Sequence, residues 1–172
     1  MNQADHLIFI GFMGSGKSTI ARKIARLKGM TSVDMDRFLE QEAGMTIPQI
    51  FETEGEEGFR AREHAFLKSM AQRDRCILSC GGGIINSPEN RALLKDLGTV
   101  VYLEVSAQEA VSRISRPETR PLLQGKIPPE ELLEQRRELY EEAADITFDT
   151  NGLSVGQVVR QVSILLERRG IL

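Results

Sequence analysis

The chain has 172 residues, 41% of them hydrophobic and 27% charged, an ordinary balance for a soluble globular protein and enough length for one compact domain to bury a core unaided. That composition excludes collagen-like, disordered and small disulfide-framework classes. Lys plus Arg number 22 against 25 Asp plus Glu, a net charge of -3 with no long basic run, so neither nucleic acid nor a membrane surface is an expected partner and an anionic ligand has to be met locally.

The polar start Met1 to His6 leads into the apolar run Leu7 to Ile10, without the basic opening or small-residue cleavage site of a secretory signal. No apolar stretch approaches the roughly 20 residues of a transmembrane helix, so a cytoplasmic location is expected. Strand-like runs follow at Thr31 to Val33, Cys76 to Ser79, Val100 to Val105 and Ile146 to Phe148. Helical patterns lie between and after them, at Lys17 to Lys28, Met35 to Ala43, Ile47 to Gln72, Pro88 to Leu97, Ala107 to Ile114, Pro129 to Ala144 and Ser154 to Arg168. This alternation predicts an α/β fold with a parallel sheet covered by helices on both faces. Cys76 and Cys80 share the β-like run Arg75 to Cys80, where four residues separate their Cα atoms by roughly 13 Å, beyond the reach of a disulfide. With only His6 and His64 besides, the sequence offers no zinc-ligand cluster, and both cysteines are read as core residues. Four of the six prolines (Pro117, Pro121, Pro128 and Pro129) crowd the stretch from Arg116 to Glu130, which predicts a long loop able to act as a lid.

Directly after the first strand comes Gly11-Phe-Met-Gly-Ser-Gly-Lys-Ser18 and then Thr19, a match to G-x-x-x-x-G-K-[ST] in its required strand–loop–helix setting. Glycines let the backbone wrap phosphate oxygens, and the amides of Gly14, Ser15, Gly16, Lys17, Ser18 and Thr19 point inward at the positive end of the next helix. Lys17 supplies a mobile cation for the β and γ phosphates, and the Ser18 hydroxyl is placed to ligate Mg²⁺. The D-x-x-G string Asp149 to Gly152 reads as a turn, because no N-K-x-D guanine-reading motif accompanies it. A nucleoside-triphosphate enzyme or binding module is therefore expected rather than a regulatory GTPase.

The acceptor side begins at Asp34-Met-Asp36, at the carboxyl end of the second strand, the edge where ligands of open α/β sheets gather. Asp34 is assigned to the metal's water shell and Asp36 to the acceptor hydroxyl, the alternative for Asp36 being a helix cap. On the helix around Phe59-Arg60-Ala-Arg-Glu63, Glu63 falls inside the apolar stripe of Phe59, Phe66, Leu67 and Met70, and Arg60 one turn earlier can pair with it. Gly81, Gly82 and Gly83 follow the third strand and suggest close approach of backbone amides to a ligand. Arg120, in Thr-Arg-Pro-Leu-Leu123, is the lid guanidinium expected to close on the γ-phosphate, with weaker claims for Arg116 and Lys126. Arg136, in Arg-Arg-Glu-Leu-Tyr140, reads by itself as part of a solvated charged face.

Together, Gly11 to Thr19, Asp34-Met-Asp36, Phe59-Arg60-x-x-Glu63, Gly81 to Gly83, Arg120-Pro-Leu-Leu123 and Arg136-x-x-Leu-Tyr140 resemble the motifs of the shikimate kinase family in order and spacing, over Leu7 to about Asn151. The resemblance implies the nucleoside-monophosphate-kinase type of P-loop fold: a five-stranded parallel sheet in three α/β/α layers, a substrate-binding segment near 35–63 and a mobile lid near 115–126. It implies ATP-dependent, Mg²⁺-assisted phosphoryl transfer to the 3-hydroxyl of shikimate, giving shikimate 3-phosphate and ADP within aromatic amino acid biosynthesis. Shikimate would lie on Asp36, Arg60, Gly82 and Arg136, with the neighbouring Gly81 and Gly83. The nucleotide would lie on the P-loop and Arg120, with Arg113 at a position that commonly packs on the adenine. The family often has proline before the Leu-Tyr pair, where this chain has Glu138. One carboxylate and three hydroxyls on the acceptor suit two arginines facing an aspartate, whereas a nucleotide monophosphate would be repelled by Asp36. Partners are thus the small molecules ATP and shikimate, and the chain is read as a monomer. A gluconate-type sugar-acid kinase and an ATP-binding module without turnover are the competing readings.

Overall fold

The computed structural model describes residues 5–114 and 127–172. Five strands, β1 (His6–Ile10), β2 (Ser32–Asp34), β3 (Ile77–Ser79), β4 (Gly98–Glu104) and β5 (Ile146–Asp149), form one sheet in the order β2-β3-β1-β4-β5. All four pairings are parallel, as the alternation of strand and helix predicts. The helices are α1 (Lys17–Lys28), α2 (Met35–Ala43), α3 (Ile47–Met70), α4 (Pro88–Leu97), α5 (Ala107–Arg113), α6 (Pro129–Ala143) and α7 (Val155–Arg168).

Successive side chains of a strand point to opposite faces, so β1 feeds two cores. Leu7 and Phe9 join Ile77, Val101 and Leu103 beneath α1 and α7, while Ile8 and Ile10 join Leu78, Val100 and Tyr102 beneath the helices of the other face. Cys76 and Cys80 are both free and buried, as read from the sequence. Burial among apolar neighbours pushes the Cys80 thiol far above its ordinary range. No helix among the described residues is long and apolar enough to cross a membrane.

Three sequence expectations are corrected. His6 is the first residue of β1 rather than part of a polar lead-in. It is buried because its ring has backbone partners: Nε2 lies 3.0 Å from the Met70 carbonyl, and Nδ1 accepts from the Cys76 amide at 3.1 Å. The predicted helix from Ile47 to Gln72 ends at Met70 and is broken at Gly55, whose φ of 72° and ψ of 179° are not helical. Its two limbs are joined across the break by the Phe51–Phe59 ring pair at 4.7 Å and by Arg62, which donates twice to the Glu54 carboxylate at 2.8 Å. Arg136 is 4% exposed, not part of a solvated face, because that side of α6 turns toward the sheet with Leu132, Leu133 and Tyr140.

Parallel order brings the carboxyl ends of all five strands to one edge. β1 and β3 are neighbours there, and the Cys80 amide still donates to the Phe9 carbonyl at 3.1 Å beyond the last paired residue. The loops that leave these two strands therefore run side by side.

Candidate active site

The loop after β1 is shaped by backbone rather than by side chains. Gly14 has φ 76° and sits so close to the Ala110 carbonyl of α5 that no Cβ fits between them. α1 then starts at Gly16 with no side-chain cap and no acidic residue in its first turn, so its leading amides keep their donors for a ligand. The contrast with five of the other six described helices is informative, and the sixth, α6, is uncapped but has Glu130 and Glu131 in its first turn. Asp34, Thr46, Ser87, Ser106 and Ser154 each cap the helix that follows them. Lys17 is 9% exposed and folds back over the loop, its Nζ donating to the carbonyls of Gly11 at 2.8 Å and Phe12 at 3.0 Å. An ammonium group resting on carbonyls at the mouth of an uncapped helix is a cation ready to exchange partners for a phosphate oxygen.

A cavity of about 670 Å³ opens over this loop, lined by Gly14 to Thr19 together with Asp34, Asp36, Ser79, Gly81 and Gly82, and at its far end by Arg113, Leu153 and Val155. The structure thus gathers the whole predicted nucleotide set among the described residues. The segment 115–126 with Arg116, Arg120 and Lys126, the predicted lid, lies outside the described residues. Arg113 is held in place by three hydrogen bonds to two residues. Its Nη2 donates to Glu109 Oε1 at 2.6 Å and to the Thr150 carbonyl at 3.0 Å, while Nη1 donates to Thr150 Oγ1 at 3.2 Å. The Arg113 guanidinium, helped by the Gly152 amide, holds the Glu109 carboxyl below the usual range. The string from Asp149 to Gly152 is a turn, as read, but the residues just beyond it, Leu153 to Val155, are an unforeseen wall of the nucleotide end. Apolar and capping residues at a helix start carry no signal that separates a ligand wall from an ordinary helix entry.

For a divalent ion the relevant groups are Ser18, Ser79 and Asp34. Ser79 Oγ lies 3.5 Å from Ser18 Oγ, and Asp34 spends Oδ1 on the Arg37 amide at 3.1 Å as the cap of α2. The cap role weighed for Asp36 therefore belongs to Asp34. Asp34 Oδ2 is not engaged by that cap, and a hydroxyl with one carboxylate is a hard-oxygen donor set of the kind Mg²⁺ accepts alongside phosphate oxygens and water. The sequence does not mark Ser79, since a serine ending a strand is unremarkable until the fold sets it beside the P-loop.

The acceptor half is assembled from four segments around the three glycines after β3. A Cβ on Gly81 would stand 3.2 Å from Asp36 Oδ1 and 3.3 Å from Glu63 Oε2, so both carboxylates converge there. A Cβ on Gly82 would stand 3.3 Å from Arg136 Nη1, and one on Gly83 would overlap the Arg60 guanidinium. Arg60 and Gly83 also line a neighbouring cavity of about 760 Å³ with Glu56, His64 and Asn86. The glycines are thus required by close approach: side chains here would crowd both arginines and both carboxylates.

The predicted Arg60–Glu63 pair is present, with Arg60 Nη1 donating to Glu63 Oε1 at 2.5 Å, and it is not a surface pair because Glu63 is 0% exposed. Burial pushes the Glu63 carboxyl up to about 7, with Arg60 opposing, Asp36 adding to the rise and Arg136 opposing. Among the described residues Glu63 Oε2 and Arg136 Nη1 have no hydrogen-bond partner. Buried polar atoms left open on the two sides of a glycine turn are the donors and acceptors that a hydroxylated, anionic ligand would satisfy.

The family model described as shikimate kinase matches residues 13–167. A shikimate kinase of Thioalkalivibrio sulfidiphilus (strain HL-EbGR7) is 45% identical over 166 residues, which cover 95% of this chain and 87% of that protein. One of Vibrio parahaemolyticus is 42% identical over 172 residues, covering 98% of this chain and 100% of that one. Among solved structures, shikimate kinase from Acinetobacter baumannii in complex with shikimate superposes with a TM-score of 0.89 at 36% identity, over 99% of this chain and 97% of that chain. A site in which a P-loop faces one buried and one half-buried arginine across a glycine turn, on this sheet order and with these relatives, leads to one conclusion: the chain belongs to the shikimate kinase family.

Proposed function

We propose that the chain transfers the γ-phosphoryl group of ATP to the 3-hydroxyl of shikimate, with Mg²⁺, to give shikimate 3-phosphate and ADP. The observation that carries this reading is the shared edge: the phosphate cradle of β1 lies beside a glycine turn on which Asp36, Arg60 and Arg136 converge. The P-loop amides and Lys17 hold the triphosphate, Lys17 exchanging the Gly11 and Phe12 carbonyls for phosphate oxygens. Arg60 and Arg136 grip the acceptor's carboxylate, and Glu63 keeps the Arg60 fork from rotating. Asp36 orients the acceptor hydroxyl and takes its proton as the new oxygen–phosphorus bond forms and the bond to the ADP oxygen breaks. Ser18 directly, and Asp34 through water, would hold Mg²⁺, which supplies charge neutralisation of the phosphate oxygens. Arg113, fixed by Thr150 and Glu109, offers its guanidinium plane to the adenine.

The segment near 35–63 serves as the acceptor-binding part and 115–126 as the lid that brings Arg120 to the γ-phosphate and keeps water from the donor. The protein works as a cytoplasmic monomer. A coupled ADP-release assay with shikimate and with gluconate tests the acceptor. We expect kcat/KM at least roughly 100-fold higher with shikimate, since a site built for one set of hydroxyls rejects another. Equal or faster turnover with gluconate would reassign the acceptor to the sugar acids.

A further inference from the structure

We propose that Tyr140 is a positioning residue of the acceptor site, whose phenol holds the Gly82 carbonyl and thereby fixes which way the middle peptide of the glycine turn faces. The inference rests on the function proposed above and concerns a residue to which that mechanism gives no part.

Each carbonyl of the three glycines has an identified partner, but not of the same kind. Gly81 is bonded by the Ile84 amide at 3.2 Å and Gly83 by the Asn86 amide at 3.1 Å, both within the short 3₁₀ turn Ile84–Asn86 that follows. The Gly82 carbonyl alone relies on a distant side chain, the Tyr140 hydroxyl, which donates to it at 2.5 Å from 58 residues away. A peptide between two glycines has no Cβ to resist rotation, so the local chain does not decide its orientation. A trans peptide sets its N–H opposite its C=O, so holding the Gly82 carbonyl against α6 directs the Gly83 amide away from α6. A reversed peptide would put a carbonyl dipole where that amide donor stands, beside the acceptor site, and so disfavour an anionic ligand.

Tyr140 is built for such a task. It is 0% exposed and its ring stacks on Tyr102 with centroids 4.9 Å apart and planes at 17°, which leaves the hydroxyl one direction. Burial pushes the phenol up to about 12, so it stays protonated and remains a donor. The same place brings the elements together: a Cβ on Gly82 would lie 3.4 Å from the Tyr140 hydroxyl, 3.3 Å from Arg136 Nη1 and 3.5 Å from the Gly11 carbonyl. One hydroxyl therefore stands where α6, the glycine turn and the P-loop meet, next to an arginine of the acceptor site.

Tyr140→Phe removes one oxygen and keeps the ring, its volume and the stack, and Tyr140→Leu removes the ring as well. For Tyr140→Phe we expect the KM for shikimate to rise roughly tenfold, in line with one lost hydrogen bond to a buried acceptor, while the KM for ATP stays within about twofold and the melting temperature changes little. Protection of the variant against heat by shikimate alone should weaken in parallel, a readout that needs no turnover. An unchanged shikimate KM in Tyr140→Phe overturns the proposal, as does an equal rise in both KM values, or an effect seen only in Tyr140→Leu together with a fall in melting temperature. Those last outcomes mark a packing role. If the parent protein phosphorylates a different hydroxy acid, the acceptor assignment fails separately, and the same comparison run with that acid still decides the role of Tyr140.

Discussion

The donor half of the site draws on nine consecutive residues, Gly11 to Thr19, whereas the acceptor half gathers Asp36, Arg60, Glu63, Gly81 to Gly83 and Arg136 from four separate stretches. The first recognises its ligand with backbone amides and one ammonium group that already rests on carbonyls of its own loop. The second relies on charged side chains taken out of water, Glu63 at 0% and Arg136 at 4% exposure, with Glu63 holding Arg60 in place. A contiguous backbone cradle tolerates change almost anywhere else in the chain. An assembled pocket depends on the mutual placement of three helices and a loop, so it can be disturbed by residues that never meet the ligand.

The largest expected effect breaks the donor half alone. Lys17→Ala removes the cation facing the β and γ phosphates and should lower kcat roughly 10³-fold whichever acceptor is supplied. Steady-state turnover checks it, and retained activity would show that the loop amides suffice. Asp36→Asn strikes the acceptor half: turnover should fall roughly 10² to 10³-fold while ATP affinity, read by nucleotide titration, stays the same. Loss of both would mean that the two halves are not separable at this residue.

A smaller effect sharpens the electrostatic side of the contrast. Glu63, raised from 4.5 to about 7, binds its proton more tightly in the folded protein than in the unfolded chain. Between those two pH values the folded state holds more protons, so the stability contributed by this group is present below about 4.5 and is lost as the pH rises through 7. Glu63→Gln removes that dependence. The stability of the parent relative to the variant should therefore fall by on the order of 2 to 3 kcal/mol from pH 4 to pH 8, measured by urea unfolding. A difference that does not change with pH would mean that Arg60 compensates the buried charge fully.

Legibility in sequence follows the same division. The cradle is visible because its task imposes residue types at adjacent positions: glycine where no Cβ fits, Lys17 and Ser18 at the helix start. Strand and helix alternation was equally readable, since a parallel sheet with both faces covered leaves the apolar runs Leu7 to Ile10 and Val100 to Val105. In the acceptor half, Glu63 stood out because a carboxylate inside an apolar stripe contradicts its surroundings. Arg136 did not, for its neighbours Glu134, Gln135, Arg137 and Glu138 mask a single inward position on α6. Ser79 is silent, and Tyr140 enters only as the end of the Arg136-x-x-Leu-Tyr140 motif with no role attached, for a different reason: each meets a partner 58 or more residues away, and no local pattern encodes that meeting. His6 was misread because two backbone groups, neither visible in the sequence around it, satisfy its ring inside the core.

The interruption at Gly55 has an evolutionary consequence. The limb before it is anchored to α2, where the Ile47 amide donates to Glu40 Oε2 at 3.0 Å, while the limb after it carries Arg60 and Glu63. The backbone leaves helical geometry between the limbs, which a ring contact and an ion pair join. A lineage can therefore change residues 47–54 with the break absorbing the difference, while the inherited charge arrangement downstream stays in register.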